Sequence, residues 1–157
     1  MEKSSVTNGK MTSKTKKNVF VEGPISPTKI AQSIEKHASM HDIGAHSIFL
    51  GQVRGDVINE KEVTAIEYSC YQDLADEVFH VLREETFSLF RLSCMHIYHS
   101  IGRVPTGGIS LFVFTSSKHR SDAIEACKYV VEAIKSRAPV WGKEIFNDDT
   151  HQWKQNT

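Results

Sequence analysis

Leu92–His99 (LSCMHIYH) and Ile109–Ser116 (ISLFVFTS) are two β-prone runs separated by a turn-rich segment, Gly102–Gly108 (GRVPTGG). Aromatic and branched residues dominate both runs, while Pro105 and the adjacent Gly107 and Gly108 punctuate the segment between them. So short a connection returns the chain antiparallel, because parallel neighbours need a crossover of a dozen residues or more. Helical patterns elsewhere interrupt the strands irregularly. The combination predicts an α+β fold with a mixed or antiparallel sheet and packed helices, not a regular parallel α/β fold.

Toward the amino end, Tyr71–Phe90 places Leu74, Ala75, Val78, Leu82 and Leu89 near a 3.6-residue repeat and predicts a helix. Val63–Cys70 and Gly44–Val53 read as strands around a polar loop, Arg54–Glu62. Ser26-Pro27 opens another helix: serine caps it, and proline fits a first turn whose N–H needs no partner. That helix would turn Ile30, Ala31, Ile34 and Ala38 inward and stop near Met40, after a short β-prone run at Val19–Val21. Toward the carboxyl end, Ser121–Arg137 predicts a helix with Ile124, Cys127, Val130, Val131 and Ile134 inward, closed by Pro139. Val140–Trp153 reads as extended. Met1–Lys17 is polar, rich in lysine and aperiodic, so it reads as a disordered tail preceding a single domain over 18–157.

Composition narrows the function classes. Lysine plus arginine equal aspartate plus glutamate at 19 each, so no global positive field exists to hold nucleic acid. No apolar run approaches the roughly 20 residues that span a bilayer. Cys70, Cys94 and Cys127 are odd in number and far apart, and they lie in apolar patterns. They read as reduced structural cysteines of a cytoplasmic protein. His37 and His41 have helical ligand spacing, and His96 and His99 fall on opposite faces of a strand, but no cysteine or acidic cluster in the sequence completes a shell around them. Neither a metal nor a resident cofactor is expected.

Three segments carry candidate chemistry. Lys118-His119-Arg120-Ser121 opens a helix, where unpaired N–H groups and the positive end of the dipole collect anions and Arg120 can grip phosphate oxygens; a solvated helix start has the same sequence. Lys135 follows Ile134 at the end of an amphipathic helix. There an apolar surrounding lowers an amine's pKa, although the helix carboxyl end also favours a lysine for its charge alone. Phe49-Leu50-Gly51-Gln52-Val53-Arg54 ends an apolar strand on an arginine that can reach into a cleft or into solvent.

In order, GAHSIFLGQVR (Gly44–Arg54), SSKHRSDAIEAC (Ser116–Cys127) and IKSRAPVWGKE (Ile134–Glu144) resemble the large subunit of molybdopterin synthase. Glu67-Tyr68, Tyr71, His99–Gly102 and Trp153 extend the likeness across the ordered chain. The resemblance implies an α/β-hammerhead-type fold and a homodimer of large subunits. A small ubiquitin-like subunit at each end would make a heterotetramer. The small partner's thiocarboxylated carboxyl terminus would deliver sulfur to cyclic pyranopterin monophosphate, forming a dithiolene. On this resemblance Lys135 and Lys143 are catalytic. Phe49, Gln52, Val53, Arg54, His119, Arg120, Gly142 and Glu144 join them in holding substrate. Gly142 departs from the family pattern, which places a lysine directly after the tryptophan, and Lys154 is the basic residue available near the end of the chain. The alternative is a non-catalytic pterin- or phosphate-binding scaffold of the same fold.

Overall fold

Strand β5 (Cys94–Pro105) organises the molecule, because it pairs with different partners along its length. In this computed structural model, which describes residues 18–155, Cys94–His99 pair antiparallel with β6 (Ile109–Ser117), and Gly102–Pro105 pair antiparallel with β4 (Lys61–Cys70). A short first strand, β1 (Phe20–Glu22), lies parallel to Phe20's partner His99 and the next two residues. The sheet is therefore mixed, as the sequence predicts. Its main order is β2-β6-β5-β4-β7-β8, with β2 at Ala45–Gln52, β7 at Val140–Phe146 and β8 at His151–Trp153. β3 (Val57–Ile58) pairs with the start of β4.

The strand β5 runs well beyond His99. Gly102–Pro105, read from the sequence as loop, belong to it, and the turn shrinks to Thr106–Gly108. The signal behind the error is local: Gly102 has φ +77°, a left-handed conformation that glycine adopts without strain, just where β5 changes partners. The polar loop after β2 likewise hides the β3 hairpin, whose turn residues Asn59 and Glu60 take positive φ.

Among the described residues three helices pack on this sheet: α1 (Pro27–Lys36), α2 (Gln72–Leu89) and α3 (Arg120–Arg137). Ser26 caps α1 by accepting a hydrogen bond from the Thr28 N–H, and Pro27 stands at its first position. The helix is shorter than the pattern suggests, and of the four apolar residues expected inward only Ile30 is buried. Along α2 the buried residues are Ala75, Phe79, Leu82 and Thr86, while Leu74 and Leu89 face solvent. Along α3 they are Ala123, Ala126, Cys127, Val130, Ala133 and Ile134, with Ile124 exposed. Alanines allow α3 to lie close on the sheet, so the true inward face is offset from the one the larger residues mark. The main core joins α2 and α3 to Met95, Ile97, Leu111 and Val113 on one sheet face. A smaller core of Ile25, Ile30, Phe112 and Phe114 lies on the other, under α1. The amino-terminal segment read as a tail, Met1–Lys17, lies outside the described residues.

Candidate functional site: a lysine-lined cleft at the end of helix α3

The carboxyl end of α3 overhangs the junction of β4, β5 and β7 and leaves a cleft there with about 430 Å³ of empty space, partly open to solvent. Tyr68, His99, Ile134, Lys135, Ala138, Val140, Gly142 and Lys154 line it. Pro139 sets this geometry: the helix ends at Arg137, Ala138 turns to extended backbone, and β7 begins at Val140 directly beneath the last turn. The tail then folds back. β8 pairs with β7, and the Lys154 N–H donates to the Gly142 carbonyl at 2.8 Å, which brings a second amine into the cleft.

The electrostatics follow from the partial shelter of this cleft, whose two lysines still reach solvent. Burial pulls the pKa of Lys135 below the ordinary lysine value, and the positive charge of Lys154 pulls it the same way. His99, only 4% exposed, is held to about 4. Burial is the main cause, the Lys135 charge adds to it, and a 2.7 Å hydrogen bond from Nδ1–H to the Ser100 carbonyl opposes it. The imidazole is thus neutral near pH 7. Tyr68 packs edge-on against it at 5.3 Å, and its hydroxyl donates to Ser110 Oγ at 3.1 Å. Burial raises the Tyr68 pKa, so the phenol stays protonated. Two close amines above a neutral floor make a site for an anion, with one amine tuned to exchange protons closer to neutrality.

Gly142 gives the cleft its depth. A Cβ there would stand 3.0 Å from Ile66 Cγ2 and 3.4 Å from the Tyr68 ring, so a larger residue would press directly on the floor. Val53, buried against Ile66, Val104 and Tyr68, supports that floor from behind.

The other residues advanced from the sequence lie elsewhere. Lys143 follows Gly142 in the strand, so its side chain points to the opposite face. There it meets Glu67 directly across the ladder at 3.5 Å, beside the exposed Trp141 and Trp153. Glu144 is buried on the Tyr68 side. Phe49 and Gln52 are exposed on β2. Arg54 pairs with Asp56 at 3.2 Å beyond the end of β2, and neighbouring Gly55 packs near Val63. Val63 lies five residues along β4 from Tyr68, or about 17 Å. His119 and Arg120 are exposed at the amino end of α3, where His119 makes no side-chain capping bond. Fifteen residues of helix, about 22 Å, separate Arg120 from Lys135. Tyr68, His99 and Lys154 entered the sequence reading only as accessory residues; nothing in the periodicity of three distant strands reveals that they converge.

Fold and site together define an α+β protein with an anion-receptive, amine-lined cleft. The sequence model described as "MoaE protein" matches residues 21–137, and the chain belongs to the MoaE family. A protein from Emericella nidulans named molybdopterin synthase catalytic subunit is 33% identical over 132 residues, 84% of this chain. The chain spans 65% of that relative's length, a little under two thirds. The crystal structure of molybdopterin synthase from Staphylococcus aureus superposes with TM-score 0.75 at 27% identity, covering 87% of this chain and 95% of that one. A complex of subunits 1 and 2 of molybdopterin-converting factor from Helicobacter pylori shares the fold, with TM-score 0.74 at 20% identity over 87% of this chain and 88% of that one.

Proposed function

We propose that this chain is the catalytic subunit of a molybdopterin synthase. It would transfer sulfur from the thiocarboxylated carboxyl terminus of a small ubiquitin-like subunit to cyclic pyranopterin monophosphate, building the dithiolene of molybdopterin. The observation that carries the reading is Lys135, which reaches solvent but is partly desolvated so that its basicity is lowered, beside Lys154 in a cleft of a MoaE-family chain. An amine whose basicity is lowered by loss of water and by a neighbouring positive charge gives up a proton more readily than an ordinary lysine, which serves as sulfur attacks and oxygen leaves, because both steps move protons. Lys154 offers fixed charge to the anionic substrate. The sulfur arrives on the partner, so the reaction asks no nucleophilic cysteine of this chain.

The partner's tail needs an entrance. The exposed Trp141 and Trp153 stand on the face of β7 and β8 that carries Lys143, and Tyr71, between β4 and α2, meets Trp141 edge to face at 5.3 Å. Exposed aromatics of this kind are the usual anchors of protein interfaces. Lys143 stands among them and is assigned the orientation of the incoming thiocarboxylate tail.

His119 and Arg120 cannot reach the cleft of their own chain. In a homodimer they would serve the cleft of the second copy, holding the substrate phosphate at a helix amino terminus. Strand β2 supports a dimer: among the described residues it pairs with β6 alone, and Ile48, Phe49 and Leu50 are exposed along it. Gln52 and Arg54, at the end of that strand, belong to the same shared surface, and Glu144 backs Tyr68. The pairing of two such dimer halves with two small subunits gives a heterotetramer. No helix among the described residues is long and apolar enough to cross a membrane.

Thiocarboxylate consumption tests the reading. A thiocarboxylated small subunit mixed with this chain should lose its sulfur when cyclic pyranopterin monophosphate is added. A complex that forms but leaves the thiocarboxylate intact would favour the non-catalytic scaffold.

A further inference from the structure

The face of β5 opposite His99 carries a second cluster of chemically capable side chains. Cys94 and His96 stand two residues apart, so both project toward α1, and His37 reaches down to them from the carboxyl cap of that helix. One ligand atom from each of the three lies within 4.8 Å of the others. We infer that His37, Cys94 and His96 form a binding site for a zinc-class transition-metal ion that clips the end of α1 to the sheet.

Geometry carries the inference first. The Nε2 atoms of His37 and His96 are hydrogen-bonded at 3.1 Å, a contact that an ion held between them would replace. Tetrahedral zinc, with bonds of about 2.0–2.1 Å to nitrogen, holds two such atoms roughly 3.3 Å apart, so only a slight opening of the pair separates this arrangement from a ligated one. The tautomer of His37 agrees. Its Nδ1–H donates to the Ser33 carbonyl one turn back in α1, leaving the lone pair on Nε2, the atom that faces His96. Metal-bound histidines are held in this way, the remote ring nitrogen being tied to a carbonyl or carboxylate.

Packing fixes the rings before any ion arrives. Phe114 lies 4.9 Å from the His37 ring, edge to face, and stacks on His96 at 6.0 Å. His37 is buried and the other two residues are half-buried, so the site is enclosed yet reachable. Two imidazoles and one thiolate are a borderline-soft donor set. It favours zinc, cobalt or copper over calcium or magnesium, which require oxygen ligands. The fourth position would fall to water or, after a shift, to His46, which stands outside the three-residue group with its ring 6.0 Å from that of His37 and its Nδ1 2.7 Å from Ser116 Oγ.

The structural consequence concerns α1, whose one buried residue is Ile30. An ion bridging His37 to β5 would join positions 59 residues apart and supply the anchorage that apolar packing gives α2 and α3. The sequence reading set aside a metal site because it paired His37 with His41 and His96 with His99. The actual set crosses from helix to strand and includes Cys94, a combination that spacing alone cannot reveal.

The test is titration of the metal-stripped full chain with Co²⁺, followed by displacement with Zn²⁺. The expected result is one ion per chain, with tetrahedral visible bands and a thiolate-to-cobalt charge-transfer band that zinc abolishes. Cys94→Ser should remove the charge-transfer band and His96→Ala should weaken binding at least ~10-fold. Cys70→Ser, outside the cluster, should leave both unchanged. Zinc should also raise the Tm of the unaltered chain and not that of Cys94→Ser. Absence of a saturable cobalt spectrum in the unaltered chain, or a charge-transfer band that survives Cys94→Ser, would overturn the inference. Neither result depends on a variant folding normally, since the first is read on the native chain and the second on a band that requires a bound thiolate.

Discussion

Helix α3 ends in basic residues on both sides, and its two ends behave as different chemical objects. At the amino end His119 and Arg120 stand in solvent, with the positive end of the helix dipole behind them. At the carboxyl end Lys135 enters a cleft beside Lys154, where loss of water lowers its basicity. Charge and sequence alone favour the amino end as an anion site. Lys135 also reaches solvent; what distinguishes it is the partial loss of water and the second amine that the cleft wall supplies, and both belong to the carboxyl end. The exposed pair acquires comparable leverage only when another surface covers it, which a second copy of the chain would provide.

The comparison is most easily broken at Lys135. Replacing it with alanine should lower sulfur-transfer turnover by about 10²- to 10⁴-fold, the usual contribution of a positioned proton-transfer group, with Tm and small-subunit affinity little changed. Steady-state kinetics beside a binding isotherm would check this. An equal loss in small-subunit affinity would reassign Lys135 to the interface.

The floor of the same cleft makes a pH prediction. His99 titrates near 4 in the folded chain and near 6.5 when unfolded, so between these values the unfolded chain binds more protons. Its contribution to stability is complete above about pH 6.5 and is lost as pH falls toward 4, a change of order 3 kcal/mol. Urea unfolding across that window should show a slope that flattens in His99→Asn. An unchanged slope would mean that the imidazole is already charged in the fold.

At the other end, Arg120→Ala should raise the KM for the pterin on the order of 10- to 100-fold, as expected for a lost charge-assisted hydrogen bond to phosphate, and should alter small-subunit binding far less. The smallest effect is the most diagnostic of how the ends cooperate. Co-expressing Arg120→Ala with Lys135→Ala lets heterodimers form in which one of the two clefts has both residues intact. Random pairing should then restore roughly a quarter of the native activity. No recovery would place both residues in the service of one chain.

Much of the fold could be read in advance because it rests on short-range chemistry. Ser26-Pro27 starts α1, Pro139 ends α3, and a turn inside the predicted Gly102–Gly108 loop joins β5 to β6, although the loop's first four residues are strand. The failures share a cause. Leu74, Leu89 and Ile124 are apolar yet exposed, whereas Thr86, Ala123 and Ala126 are buried, because close packing selects for small side chains as readily as for large ones. The cleft was legible only in part for a related reason. Lys135 and Gly142 come from one continuous segment, but Tyr68 and His99 join them through sheet register, and Lys154 through a strand reversal. Lys143 shows the converse: adjacent to Gly142 in sequence, it is turned to the other face by the pleat of β7.

The central claim, that this cleft performs sulfur transfer, is tested most directly by a single turnover. The full chain would be preloaded with a thiocarboxylated small subunit and mixed with cyclic pyranopterin monophosphate, and dithiolene formation followed in time. The account predicts product in the native chain, with formation slowed by Lys135→Ala at undiminished complex occupancy. A stable complex that yields no dithiolene would contradict it.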